Sequence, residues 1–357
     1  MSPHGFLNGI RVLDLGTTVV ARLAARLLCD LSADVVRPAA GVGIAADGVE
    51  LSPDFDSTVP YIGLLDRGKA EIDAQPGQSI AEWLSDQLGQ ASLVVLDAGS
   101  PPLESFLSSI TPIPPSSVTI TAFGQQGPKR GWRGGDLIAQ ASGGLLRITG
   151  EPGLAPLPVP ADLTTGVVAV QAAIAGLAAV RQRRLTGSPV HSDVSAQDAV
   201  VAILEGAVTP LQFSGSVRER MGTMHPAVHG IGLQTTRDDR WVLFGTCPRP
   251  AMWTSLIETL GNPDWASRPE WTDARQRRAD HVAIDTEAAQ TVGKLDLGDF
   301  YDDLLSRGVP VGVVNDLDDV VTWDQIVERD FMIFGTDDPD DSAAQPGLAY
   351  RSNRRDT

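Results

Sequence analysis

The sequence predicts an α/β fold: a large Rossmann-like domain on a parallel sheet, followed by a smaller α+β domain. Three observations lead there. The first 200 residues alternate short strand patterns with helical ones, and such repetition builds a parallel sheet covered on both faces. Aromatic residues make up only 5% of the chain while Ala, Gly, Val and Leu abound, which suits small helices layered on buried strands. At 357 residues the chain is too long for one small core and long enough for a large and a small domain.

The elements follow in order. IRVLDLG (10–16) is a short apolar strand stopped by Gly, and TTVVARLAARLLCDLSA follows with apolar positions at helical spacing. ADVVRP (33–38) is a second strand, stopped by Pro38. IAEWLSDQLGQ (80–90) is an amphipathic helix, SLVVLDAG (92–99) a strand, and SVTITAFG (117–124) another, rich in β-branched residues. GVVAVQAAIAGLAAVRQRR (166–184) is the longest helical signal, and its basic end complements the negative pole of the helix dipole. DVSAQDAVVAILEGAV (193–208) reads as one further helix.

Past residue 200 the character changes. SGSVRERMGTMHPAVHGIG (214–232) is a Gly-rich connection, so 201–227 is expected to be a linker. RWVLFGT reads as strand, MWTSLIETLG as helix, and FYDDLLSRGVPVGVV as helix then strand, which makes a small α+β domain over 228–320. The remainder, 321–357, carries an acidic run and then a basic one, and only part of it is expected to order.

Charge narrows the partners. Asp and Glu outnumber Lys and Arg 45 to 28, a formal charge of −17. Such a surface repels phosphate backbones and anionic lipid, so nucleic acid and membrane are not expected partners. An anionic ligand would need a local basic pocket. Two cysteines, Cys29 and Cys247, cannot frame a disulfide fold, and MSPHGFLNGIRVLDLG runs into strand pattern instead of a signal peptide. A cytoplasmic protein is the expectation.

Most chemical motifs fail on inspection. GLLDRGKA (63–70) falls one residue short of a phosphate-binding P-loop, with Ala70 where a hydroxyl should hold Mg²⁺ and no helix behind it. The turn after the first strand, DLGTTVV, lacks GxGxxG, so a dinucleotide site is not expected. His225 and His229 stand four apart in Pro/Gly-rich chain without a third ligand, and there is no GxSxG elbow. Neither metal nor nucleotide is expected.

Asp162 is different. It is the only charged residue between Leu154 and Val180, set between proline-rich chain and a long apolar helix. One reading is a helix N-cap, accepting backbone N–H groups at the positive end of the dipole. The other is a poorly hydrated carboxylate able to attack an electrophile. The two roles are compatible.

LNGIRVLDLG, CDLSADVVRP, DRGK, AFGQQGP, GGDLIAQASGGLLRITGEPG, ADLTTG, AAIAGLAAVRQRRLTG, SDVSAQDAV, GTMHP and RGVPVGVVNDLDDVVTWDQIVERDFM occur in that order between about residues 7 and 333. Together they resemble the class III CoA-transferases, the CaiB/BaiF family. The resemblance implies transfer of coenzyme A from an acyl-CoA to a small carboxylic acid, with CoA and acyl-CoA as substrates. The family's nucleophile is the Asp of a D-x-x-x-G stretch, which falls on Asp162. It would pass through an aspartyl mixed anhydride and an aspartyl-CoA thioester. The glycines of ASGGLL, Gly143 and Gly144, would offer N–H groups to the oxyanion or else only permit a turn. Arg37 and Arg67, with Lys69 beside it, would contact CoA.

The resemblance also implies a C-terminal segment that returns to the large domain, and a homodimer of two interlocked rings. Departures from the family pattern are plain. Val20-Ala21-Arg22 replaces an Ala-Gly-Pro, Pro38 replaces a Glu, and Asp66 replaces an Asn. Two alternatives remain: a 2-methylacyl-CoA racemase, whose histidine position is occupied by Gly135, and a diverged non-catalytic CoA-binding homologue.

Overall fold

The computed structural model describes residues 5–39, 63–97, 115–160, 163–223, 231–245, 247, 249–334 and 344–351. By its internal contacts the chain divides into two compact units. One comprises 1–149, 156–218 and 348–357, the other 150–155 and 219–347.

The larger unit is built on six parallel strands: β1 (Arg11–Asp14), β2 (Asp34–Pro38), β3 (Ala70–Ile72), β4 (Leu93–Asp97), β5 (Ser116–Thr121) and β6 (His191–Ser195). Their order is β3-β2-β1-β4-β5-β6, a doubly wound sheet that reverses direction between β1 and β4. The period-2 alternation of strands divides β4 between two cores. Leu93 and Val95 join one with Val12, Val118 and Ile120. Val94 and Leu96 join the other with Leu13 and Val36.

Helices cover both faces. α1 (Val19–Asp30) opens with Thr18 accepting the Ala21 N–H, and buries Ala21, Ala24, Ala25 and Leu28 at the spacing of one helical face. α2 (Ile80–Gln90) starts from a capping box in which Ser79 and Glu82 satisfy each other's backbone N–H, and seats Trp83, Leu84 and Leu88 on the opposite face of the sheet. α3 (Asp136–Ser142) and α4 (Leu145–Ile148) follow β5.

α5 (Leu163–Thr186) is long and apolar enough to cross a membrane by length and composition, yet it is a core helix here. It lays Val168, Ala169, Ala172, Gly176 and Val180 against the sheet and α1. Small residues permit that approach: a Cβ at Gly176 would stand 2.8 Å from Leu93 Cδ2.

The single helix expected over 193–208 is instead three elements. Asp193 and its neighbours pair with β5 as the edge strand β6, in register Asp193↔Thr119. Ser195 then caps α6 (Ala196–Ala202), accepting the Asp198 N–H, and α7 (Glu205–Ser214) follows. Strand pairing across the sheet overrides the local helical pattern of this stretch. Residues 205–214, expected within a linker, are helical, with Pro210 inside the helix.

The smaller unit carries an antiparallel sheet in the order β7 (Leu233–Thr235), β8 (Trp241–Phe244), β9 (Val311–Val313). Against it pack α8 (Pro250–Thr259), α9 (Ala274–Ala279), α10 (His281–Val292) and α11 (Tyr301–Ser306), enclosing Val242, Phe244, Trp253, Trp271, Ile284 and Phe300. Arg277 is fully buried there, donating to the carbonyls of Trp271, Thr272 and Cys247 while stacked on Trp253. A guanidinium is tolerated because backbone oxygens and an aromatic face replace its water.

Candidate functional site

In a doubly wound sheet, ligands bind beyond the carboxyl ends of the strands where the winding reverses. Here Asp14 ends β1 and Asp97 ends β4. The carboxylate of Asp97 accepts the N–H groups of Thr17 (2.7 Å) and Thr18 (2.6 Å) and the Thr17 hydroxyl (3.0 Å). The entry to α1, which in dinucleotide-binding folds receives a pyrophosphate, therefore already holds a protein carboxylate.

Beside it lies a dense charge cluster. Lys69 Nζ donates to Asp14 Oδ2 (2.7 Å), to the Arg22 carbonyl (2.9 Å) and to Asp66 Oδ1 (3.2 Å). Arg37 and Arg22 both pair with Asp66, Arg22 at 3.3 Å, while Arg67 and Arg26 share Asp30 at 3.3 and 3.4 Å. Burial pulls the Lys69 ammonium below its usual pKa, opposed by Asp14, and burial likewise lowers Arg37.

Three expected CoA contacts thus share one region, but not one role. An ammonium has three N–H groups, and all three of Lys69's are directed at protein oxygens inside the fold. In this structure Lys69 acts as an internal brace. The side chains of Arg37 and Arg67 are part-exposed, at 15% and 22%. Arg22, one of the departures from the family pattern, joins the same cluster through Asp66.

Asp162 lies outside the described residues, directly before α5. Described residues on either side of it, Val159 and Thr165, bond to α3. Asp136, first residue of α3, accepts the Thr165 N–H (2.9 Å) and the Thr165 hydroxyl (3.3 Å) on Oδ1. Thr165 is the third residue of α5, and its N–H is one that an N-cap side chain would ordinarily take. One turn along α3, Gln140 is 1% exposed. Its carboxamide accepts the Val159 N–H (2.9 Å), donates to the Val159 carbonyl (3.0 Å), and donates to Asp136 Oδ2. Thr164, also buried at 1%, has a hydroxyl with no partner among the described residues.

Gly143 and Gly144 close α3. Their N–H groups donate to Ala139 O (2.8 Å) and Ala141 O (3.3 Å), so neither is presented to an oxyanion. Packing and backbone geometry account for both instead. A Cβ on Gly143 would stand 2.5 Å from Val200 Cγ1, and Gly144 has φ +89°.

Remaining groups are structural. Burial raises the Cys29 thiol pKa, and that of Cys247 to about 11, so neither is a ready thiolate. Gly135 sits at the N-cap of α3 and brings no base to the position that a racemase histidine would take. The smaller unit has an open cleft of about 430 Å³ between Glu151, Thr223, Gln234, His281 and Asp285. None of the expected site residues lines it, and its two carboxylates suit no polyphosphate.

Sequence reading missed Asp136 and Gln140 as a pair, although their spacing of four on one helix is a readable signal. Asp14, Asp66 and Asp97 were not singled out, because their principal partners, Lys69 for Asp14, Arg22 and Arg37 for Asp66, and Thr17 and Thr18 for Asp97, lie far off in sequence.

Comparison with known proteins gives a consistent picture. The family model for CoA-transferase family III matches residues 117–357. Succinyl-CoA–D-citramalate CoA-transferase of Chloroflexus aurantiacus is 27% identical over 346 residues, covering 94% of this chain and 84% of that protein. Acetyl-CoA:oxalate CoA-transferase of Acetobacter aceti is 24% identical over 342 residues, covering 93% and 86%. Among solved structures, a CaiB/BaiF family protein from Brucella suis superposes with TM-score 0.82 at 23% identity, covering 99% of this chain and 94% of that one.

Proposed function

The chain belongs to CoA-transferase family III and is a transferase, and we propose that it moves coenzyme A between carboxylic acids by covalent catalysis at Asp162. An Asp162 oxygen attacks the thioester carbonyl of the donor, the C–S bond breaks, and CoA leaves as thiolate. The thiolate attacks the aspartyl carbonyl of the mixed anhydride, releasing the donor acid as a carboxylate and leaving an aspartyl-CoA thioester. The acceptor carboxylate attacks that thioester, breaking its C–S bond to release CoA thiolate and form a second mixed anhydride, and the thiolate then attacks the acceptor's acyl carbonyl. Product acyl-CoA leaves and the Asp162 carboxylate is restored. Thioester energy is conserved through the cycle, so no ATP is required.

The observation that carries the assignment is the bond between Asp136 and the Thr165 N–H. Asp136 already fills a capping task at the start of α5, which removes the main structural reason for a second carboxylate at 162. Arg37 and Arg67 supply local positive charge for the phosphates of CoA in a chain of net charge −17.

The reading includes a cytoplasmic homodimer of interlocked rings. Its support in the larger unit is a set of exposed apolar side chains, among them Leu137, Val170, Ile174, Leu211 and Phe213, the last 87% exposed. Sedimentation velocity would return a monomer if that reading is wrong.

The deciding experiment is intact-protein mass after mixing with succinyl-CoA and acetyl-CoA, the donors in the relatives' names. A hydroxylamine-sensitive adduct on the wild type, lacking on Asp162→Ala, is the expected result. Adduct on both proteins would move the nucleophile elsewhere.

A further inference from the structure

We propose that Asp136 and Gln140 form a positioning pair that holds the chain on both sides of residue 162 and so supports the reaction there. This rests on the nucleophile assignment above. Val159 stands three residues before 162 and Thr165 three residues after it, and both are tied to α3.

The chemistry of the clamp leaves little slack. Gln140 has two N–H donors and one carbonyl acceptor, and all three are engaged, by Asp136, the Val159 carbonyl and the Val159 N–H. This pattern fixes the carboxamide in one orientation, since a flip would set donor against donor at Val159. Asp136 holds the other end with one oxygen on Thr165 and spends its second oxygen on Gln140. The two anchors are therefore one hydrogen-bonded unit, four residues apart on one helical face.

The helix that carries them is itself pinned. Gly143 at its end allows contact with Val200 of α6 that no larger residue would permit. A helix–loop junction bearing a nucleophile gains from such support, because misplacement by about 1 Å can cost on the order of 100-fold in rate. Asp136 and Gln140 touch no substrate in this scheme. They act through residue 162.

The test compares wild type, Asp162→Ala, Asp136→Ala, Asp136→Asn and Gln140→Glu, each mixed with succinyl-CoA and quenched for intact mass, beside steady-state kinetics and thermal unfolding. Gln140→Glu keeps the size but turns a donor into an acceptor facing the Val159 carbonyl and Asp136. We expect Gln140→Glu and Asp136→Ala to slow adduct formation and kcat by roughly 10- to 100-fold, with KM for succinyl-CoA within about threefold of wild type. Asp136→Asn, which keeps an oxygen for Thr165, should fall between.

Wild-type adduct rates in the variants would overturn the positioning role while leaving the nucleophile intact. So would a fall in kcat and melting temperature together with a rise in KM and no recovery in Asp136→Asn, the pattern of a purely structural pair. If the wild type itself forms no Asp162-dependent adduct, the proposal falls with the reading beneath it. Should Asp136→Ala not fold, Gln140→Glu decides alone.

Discussion

Lys69 Nζ lies 2.7 Å from Asp14 Oδ2, with the two side chains 0% and 2% exposed. An ion pair so placed contributes little net stability as a pair, yet breaking it leaves one charge stranded. Lys69→Met should therefore cost about 3–5 kcal/mol in urea denaturation. Adding Asp14→Leu should recover part of that loss, because the orphaned carboxylate goes with it. A double variant no better than Lys69→Met would mean that Asp14 has other support.

Arg67 is the better probe of CoA binding. Its partner Asp30 also pairs with Arg26, so Arg67→Gln leaves no buried carboxylate alone. KM for acyl-CoA should rise by about tenfold with kcat nearly unchanged, the mark of a contact made equally in ground and transition states. An unchanged KM would assign Arg67 to folding only.

Capping and catalysis separate at the start of α5. Asp136→Ala should lower stability by about 1 kcal/mol through loss of the Thr165 bonds. Asp162→Ala should cost less than about 0.5 kcal/mol while abolishing the covalent adduct. Equal stability losses for the two, by chemical denaturation, would restore Asp162 as a cap.

Gly143→Ala tests the packing of α3 on α6. Its Cβ would meet Val200 Cγ1 at 2.5 Å and the Ala139 carbonyl at 2.9 Å, a clash worth about 1–3 kcal/mol. Val200→Gly in the same chain, which removes the Val200 Cβ at 2.6 Å together with Cγ1, should relieve the first contact but not the second. Thermal unfolding of the single and double variants would show whether the effects are non-additive.

Asp285 gives the molecule a pH dependence of known sign. Burial raises its pKa, against the opposing N–H bonds from Gly232 and Gln234 and the nearby His281. A raised folded-state value means that its contribution is fully present below the unfolded pKa and is lost as pH rises through the folded one. Both of its bonds fall on Oδ1, at 2.8 and 3.1 Å, so an Asn carbonyl can keep them. Asp285→Asn should thus melt higher than wild type near pH 7, with the difference closing toward about pH 3. A difference independent of pH would point to packing.

Much of the larger unit was legible in the sequence because its strands and helices carry their own periodicity. The helix 80–90 is bounded as its pattern indicates, and the long Ala-rich stretch is the central helix. β6 was not legible: SDVSAQDAV suits a helix locally, and only a free edge on β5 makes its first residues a strand. The short β3 was likewise invisible, since AEI acquires its conformation from β2.

The site divides the same way. Sequence alone determined that one carboxylate, Asp162, stands apart, and that basic residues near 37 and 67–69 are available to an acidic chain. Only the tertiary structure decided what those charges do. It turned Lys69 inward, gave the Gly143 and Gly144 N–H groups to their own helix, and brought Asp136 and Gln140 to the chain around residue 162. The reason is physical. Periodicity and composition report which face of an element avoids water, whereas a buried polar group takes its role from whichever donor or acceptor the fold sets within about 3 Å of it.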